Sequence, residues 1–130
     1  MFKISPVTEL TIAKNYADIC GIEYREGAFL YAATDCDSGE LLAVSHFEIL
    51  GEHGYIYAIK TVPGLDDFEL TFILGRQTMN FIDLCGSHKC RASLTGSDNS
   101  LLRAIGFHEA DGEFSVDMTG FFDGSHCGGH

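Results

Sequence analysis

The sequence predicts an α+β domain of three layers, a mixed and mainly antiparallel sheet with helices on both faces. Across residues 28–122 the apolar pattern changes period in a set order: three strand-like runs, one long amphipathic helix, a further strand, a short helix and a closing strand. Turn-forming clusters at Asp35-Cys36-Asp37-Ser38-Gly39, Gly51-Glu52-His53-Gly54 and Pro63-Gly64 separate the first runs, so these join as an antiparallel meander. A chain of 130 residues, 45% hydrophobic and 12% aromatic, has material for one sizeable core, which predicts a single domain over residues 1–130 ending in a Gly/His/Cys tail at 122–130.

Each element has a local cause. Pro6-Val7-Thr8-Glu9 is a helix-start signal, and Leu10, Ala13, Ala17 and Cys20 recur at helical spacing before Gly21, giving a first helix over residues 9–20. Residues 28–34 and 40–50 are rich in aromatic and aliphatic side chains on either side of the first turn cluster, a hairpin. The second turn leads into residues 55–62, the third strand. From Asp66 the period becomes helical, with Leu70, Ile73, Leu74, Phe81 and Ile82 on one stripe. Asp66 or Asp67 is placed to accept the orphan amide hydrogens at its start, and Gly86 caps its end. Gly75 in its interior costs on the order of 1 kcal/mol against Ala, which a close packing neighbour would explain. Cys90, Ala92 and Leu94 then alternate with Arg91, Ser93 and Thr95 in the next strand, and Asn99 to Ile105 form a short helix. Gly106-Phe107 turns into a final hairpin, whose last strand sets Phe114, Val116 and Met118 on one face and Ser115, Asp117 and Thr119 on the other.

The formal charge of −11 disfavours nucleic acid and anionic lipid as partners, since binding to either needs clustered Lys and Arg to displace counterions. No apolar run approaches the roughly 20 residues that span a bilayer, and Lys3, Thr8, Glu9 and Lys14 interrupt any signal-peptide core, so the expected location is the cytoplasm. Five cysteines without a secretory context read as reduced thiols. An anionic ligand would need a local basic or backbone-amide site, for which Lys89, Arg91, Arg76 and Arg103 are the available cations. The acidic surface suits a cationic amine.

Val62-Pro63 ahead of the helix from Asp66, Asn99 after the fifth strand and Gly106-Phe107 after the last helix together resemble the core of the GNAT N-acetyltransferase superfamily, over most of the chain. The resemblance implies transfer of an acetyl or acyl group from acetyl-coenzyme A to a small-molecule amine or peptide. In that family the fourth and fifth strands splay apart, the pantetheine arm adds to the fourth strand, and the pyrophosphate sits on amides at the start of the long helix. Carried over, the arm falls to Ile59, Lys60, Thr61 and Val62, and the pyrophosphate to Phe68, Glu69, Leu70 and Thr71, with Asn99 shaping the site. A helix N-terminus offers about half a positive charge and unsatisfied amides to such an anion.

The chain departs from the family at three places. Its loop lacks the phosphate-binding glycines and carries Asp66, Asp67 and Glu69, a divergent motif. Leu102 stands four residues before the Gly-Phe pair, where family members often place a Tyr that protonates the departing thiolate. The fourth strand holds no carboxylate to serve as base, which leaves Glu48 and His46 on the preceding strand, or Tyr55 and Tyr57, as candidates. Plainer roles compete: the tyrosines as the packed face of a strand, the acidic trio as helix caps. The rival to transfer is a non-catalytic binding module on the same framework, and a homodimer through sheet extension or the Phe121-Phe122 end is a further expectation.

Cys85, His88 and Cys90, with His126, Cys127 and His130, concentrate six ligand-type side chains in two short segments, more than the four a zinc ion needs. In a GNAT-like arrangement the last strand runs antiparallel to the one starting near Lys89, so the segments would be neighbours. Against zinc stands Cys90, expected on an apolar strand face as a small hydrophobe.

Overall fold

The computed structural model describes residues 1–122, so His126, Cys127 and His130 of the predicted zinc set lie outside the described residues. The chain runs β1 (Phe2–Pro6), α1 (Leu10–Ile19), β2 (Phe29–Asp35), β3 (Leu41–Leu50), β4 (His53–Thr61), α2 (Phe68–Leu84), β5 (Lys89–Ala92), α3 (Asn99–Ile105), β6 (His108–Ala110) and β7 (Glu113–Asp117). One seven-stranded sheet has the order β1-β2-β3-β4-β5-β7-β6. Only β4 and β5 pair in parallel; every other neighbour is antiparallel. The expected mixed sheet is therefore present, with α2 as the crossover that a parallel pair requires.

Neighbouring residues of one strand divide between two cores, as the period of two demands. Ala33 and Ala43 join Phe47, Ile56, Leu70, Leu74, Met79 and Ile82 beneath α2. Ala32 and Val44 join Ala17, Cys20 and Leu30 beneath α1. Thus α1 covers one face and α2 the other. Leu101, Leu102 and Ile105 place α3 beside α2 in the larger core, with Phe114 and Val116 of β7. Glu9 caps α1 by accepting from the Thr11 and Ile12 amides, each at 3.1 Å, and Asp67 rather than Asp66 caps α2, accepting from the Leu70 amide at 3.1 Å.

Two glycines record close approaches. A Cβ on Gly75 would lie 2.9 Å from Ile105 Cδ1, so the helix interior is thinned where α3 packs against it, as expected. A Cβ on Gly54 would lie 2.6 Å from Ile82 Cγ2: this residue belongs to β4 rather than to the preceding turn, and its bare face lets α2 settle on the sheet. The closing hairpin turns on Asp111 and Gly112, both at positive φ (53° and 79°), as a two-residue connection of that handedness needs.

Two elements differ from expectation. β1 has no counterpart in the sequence reading; it pairs with β2 at the sheet edge, where the missing N–H of Pro6 is harmless. The fifth strand ends at Ala92 instead of continuing through Thr95, and Leu94 is exposed. Among the described residues no helix is long and apolar enough to cross a membrane.

Candidate functional site

Between β3 and β4 the register shifts, with Phe47 opposite Ile56 but His46 opposite Ala58, so Tyr57 is an extra residue in β4, a bulge. Bulges bend and twist the strand that carries them. Up to Ile56, β4 pairs with β5 from His53↔Lys89 to Ile56↔Ala92. One further bond, Ser93 N–H to the Ile56 carbonyl at 3.0 Å, closes the pairing, after which the two strands part. The gap opens as a cleft of about 270 Å3 whose apolar walls include Ile59, Leu65, Phe68 and Leu101.

The starts of α2 and α3 both border this cleft, and both are already capped. Asp67 accepts from Leu70 and Asp98 accepts from the Ser100 amide at 2.9 Å. Asp66, Asp67 and Asp98 line the cleft against a single ammonium, Lys60. The arginines that sequence offered to an anion are engaged elsewhere: Arg91 with Glu113 at 3.4 Å, Arg103 with Glu109 at 2.9 Å, and Arg76 with the Ile105 carbonyl at 3.0 Å.

The inner wall is chain rather than open strand edge. Val62 N–H turns inward to the Leu42 carbonyl at 2.9 Å, so the alternating amides of Ile59 and Thr61 turn towards the cleft. Ile59 N–H donates to Ser97 Oγ at 2.9 Å and to the Gly96 carbonyl at 3.3 Å. Gly96 lies so close to β4 that a Cβ there would sit 1.7 Å from the Tyr57 carbonyl oxygen.

On the α1 side of the sheet, Tyr57 donates to Glu48 Oε1 at 2.6 Å, and the Arg25 guanidinium stacks 4.3 Å over the Tyr57 ring. Partial burial, then the bond to the Glu48 carboxylate and its charge, push the Tyr57 hydroxyl above its ordinary pKa. Tyr57 and Arg25 border a second hollow with Glu23, Tyr55 and Ser93. His46 is fully buried behind them. Its Nε2 accepts the Arg25 N–H and its Nδ1 meets the Phe29 carbonyl, each at 2.9 Å, which fixes a neutral ring with the proton on Nδ1. Burial holds its pKa down.

Of the candidate residues, Glu48 and Tyr57 come together. Asn99 is the first residue of α3, exposed and outside the cleft lining, where its neighbour Asp98 stands instead. Ile59, Lys60, Thr61, Phe68 and Thr71 do line the cleft; Val62, Glu69 and Leu70 do not. Leu70 is buried in the core and Val62 packs in the α1 cluster. Cys90 points into the main core, with its thiol pushed up to about 12 by burial, whereas Cys85 is exposed and His88 Nδ1 bonds Asp83 Oδ1 at 2.5 Å. Among the described residues no three ligand-type side chains gather as a metal site would require. Arg25, Gly96, Ser97 and Asp98 escaped the sequence reading, although Asp98 ahead of a short helix carries the N-cap signal.

No family model and no curated protein matches the sequence. Solved structures do match. The ribosomal-protein-S18-alanine N-acetyltransferase of Escherichia coli superposes with a TM-score of 0.70, at 15% identity over 91% of this chain and 94% of that one. The IAA acetyltransferase of Bacillus cereus gives 0.70 at 17% identity, over 85% and 79%. The PaiA N-acetyltransferase of Thermoplasma acidophilum, solved in complex with coenzyme A, gives 0.65 at 11% identity, over 88% and 99%. With its α1–sheet–α2/α3 layers and a parallel β4–β5 pair that splays after a bulge, the chain has the fold of the GNAT N-acetyltransferases.

Proposed function

We propose that this protein uses the GNAT framework to bind an organic cation, a primary amine or polyamine, in the cleft between the parted ends of β4 and β5. The observation that carries this reading is the chemistry of the cleft. Ile59, Leu65, Phe68 and Leu101 suit an alkyl chain, and the rim sets Asp66, Asp67 and Asp98 against Lys60 alone. The three carboxylates are exposed and partly screened by water, yet gathered at one rim they favour a cation there beyond what the overall charge does.

Coenzyme A, which the fold implies, meets the opposite conditions. Its phosphates need free amides or cations, whereas Asp67 holds the Leu70 amide at the start of α2, Asp66 stands beside it, and Arg76, Arg91 and Arg103 are paired elsewhere. Its arm needs outward-facing amides of β4, and Ile59 has given its own to Gly96 and Ser97. The residues present do not fit coenzyme A bound in this way.

Acyl transfer to an amine is the second reading, favoured by the GNAT fold itself and by the Tyr57–Glu48 pair beside the bulge, a hydroxyl and carboxylate 2.6 Å apart next to a hollow. In that reading the bound amine is the acyl acceptor.

Thermal unfolding with spermidine and, separately, with acetyl-coenzyme A separates the two. A ligand at about 100 times its dissociation constant adds roughly 2.7 kcal/mol, several degrees for a domain of this size. The expected result is a saturable rise with spermidine that disappears in the triple variant Asp66→Asn, Asp67→Asn, Asp98→Asn, which removes charge while leaving good helix caps. A rise with acetyl-coenzyme A and none with spermidine would put acyl transfer first and overturn the cation-binding reading.

A further inference from the structure

Residues 93–98 leave β5 and cross to the outer half of β4 in a run of bends, without strand geometry. They nevertheless take the hydrogen bond that a neighbouring strand would take, since Ile59 N–H donates to both the Ser97 hydroxyl and the Gly96 carbonyl. A strand edge with unpaired amides is a template for any extended chain that bears carbonyls. Here the molecule supplies that partner from its own sequence. The fit is tight at Gly96: a Cβ there would lie 1.7 Å from the Tyr57 carbonyl oxygen, 2.8 Å from its carbon and 3.1 Å from Ala58 Cα, all backbone atoms that cannot swing aside. Around that point the contacts are light, because Leu94 is exposed and Ser97 is only partly buried.

We propose that residues 93–98 form a self-inhibitory strap, which covers the β4 edge in place of an extended, amide-bearing ligand and keeps the arm slot of the cleft shut. The strap is a barrier separate from the carboxylate rim. The rim repels phosphate, while the strap excludes even an uncharged chain. Gly96 is the residue that allows closure, and Ser97 is the latch. Release of the strap exposes the Ile59 amide beside that of Thr61 along an apolar wall of Leu65, Phe68 and Leu101.

The test is backbone amide exchange by NMR on the full chain, with titration of pantetheine, which has the two amides of the arm and no phosphate. In the wild type the Ile59 amide is protected and pantetheine shifts no resonance at millimolar concentration. Gly96→Ala cannot close: Ile59 exchange rises about tenfold or more while the core amides of Phe47, Ile56 and Ile82 keep their protection, and pantetheine then gives saturable shifts at Ile59 and Thr61. Ser97→Ala, which adds no atoms, raises Ile59 exchange about fivefold and serves as the decisive variant if Gly96→Ala fails to fold. The proposal is overturned if Ile59 in the wild type exchanges like an exposed loop amide, if neither variant changes its rate, or if a released strap leaves the pantetheine titration flat. The exchange readout is made on the free protein and uses an uncharged probe, so it stands whether or not the rim binds a cation.

Discussion

The two halves of β4 contrast sharply although they are one strand of one sheet. From His53 to Ile56 it has strands on both sides, β3 and β5, and α2 rests on it at Gly54 and the fully buried Ile56. From Tyr57 to Thr61 it keeps β3 on one side, while its other edge meets bends, a cleft and a hydroxyl. The residue types barely change along the strand. What changes is the neighbour, and the bulge at Tyr57 marks the border. Before the bulge the backbone groups are paired by strands on both sides; beyond it no second strand follows, and Ile59 finds its partners in Gly96 and Ser97.

The contrast can be broken or sharpened by substitution. Ile56→Ala, in the doubly paired half, should cost about 2–5 kcal/mol in urea denaturation, because it leaves a cavity under α2. A loss below about 1 kcal/mol would remove the distinction between the halves. Gly54→Ala should cost about 1–3 kcal/mol, since its Cβ would meet Ile82 Cγ2 at 2.6 Å and Cδ1 at 2.8 Å, and Ile82→Ala, which removes both atoms, should cost less in the Gly54→Ala background than alone. Beyond the bulge, Tyr57→Phe deletes the hydroxyl bonded to Glu48 in a half-buried setting, and about 1 kcal/mol or less is expected. Asp67→Asn should change stability by only a few tenths of a kcal/mol, Asn being as good a cap as Asp.

Acidity probes the same border from behind. Burial keeps the pKa of His46 below its ordinary 6.5, so in the pH range just beneath 6.5 the unfolded chain binds a proton that the folded one refuses. Stability is therefore full above about 6.5 and falls as pH drops through that range. Protonation also removes the Nε2 acceptor of the Arg25 amide, and the groups facing the ring are Tyr24, Tyr57, Arg25 and Glu48. Denaturation midpoints from pH 7.5 down to 5 should slope downward, and His46→Gln should flatten the slope. An equally steep slope in that variant would assign it to other groups.

The parts of this architecture governed by local periodicity were readable in sequence. The apolar stripe of α2, the alternation of Phe114, Val116 and Met118, and the turn clusters of the meander each answer to neighbours a few residues apart. The outer half of the site answers to distant ones. Nothing near Ser93 announces that the fifth strand must stop, because the cause is a bulge in β4 some thirty-six residues earlier. Gly96 and Gly54 look like ordinary flexible glycines until the backbone or side chain that each accommodates is in place. β1 was missed because five residues that end in Pro carry little strand signal, and only β2 gives them a partner. The carboxylates were visible, but which one caps which helix, and that Asp98 rather than Asn99 faces the cleft, depends on how α3 docks.

Arg76 has a mechanical consequence. From α2 its Nε holds the last-turn carbonyl of α3 at Ile105, and its guanidinium lies over the rings of Phe72 and Phe121, at 5.5 and 5.3 Å. Gly75 next to it has Ile105 of α3 packed on its bare face, where an added Cβ would lie 2.9 Å from Cδ1. The middle of α2 is thus pinned to the last turn of α3, while the starts of both helices border the cleft. A guest seated there would press on both helix starts at once, ahead of the point where Arg76 ties the two helices together.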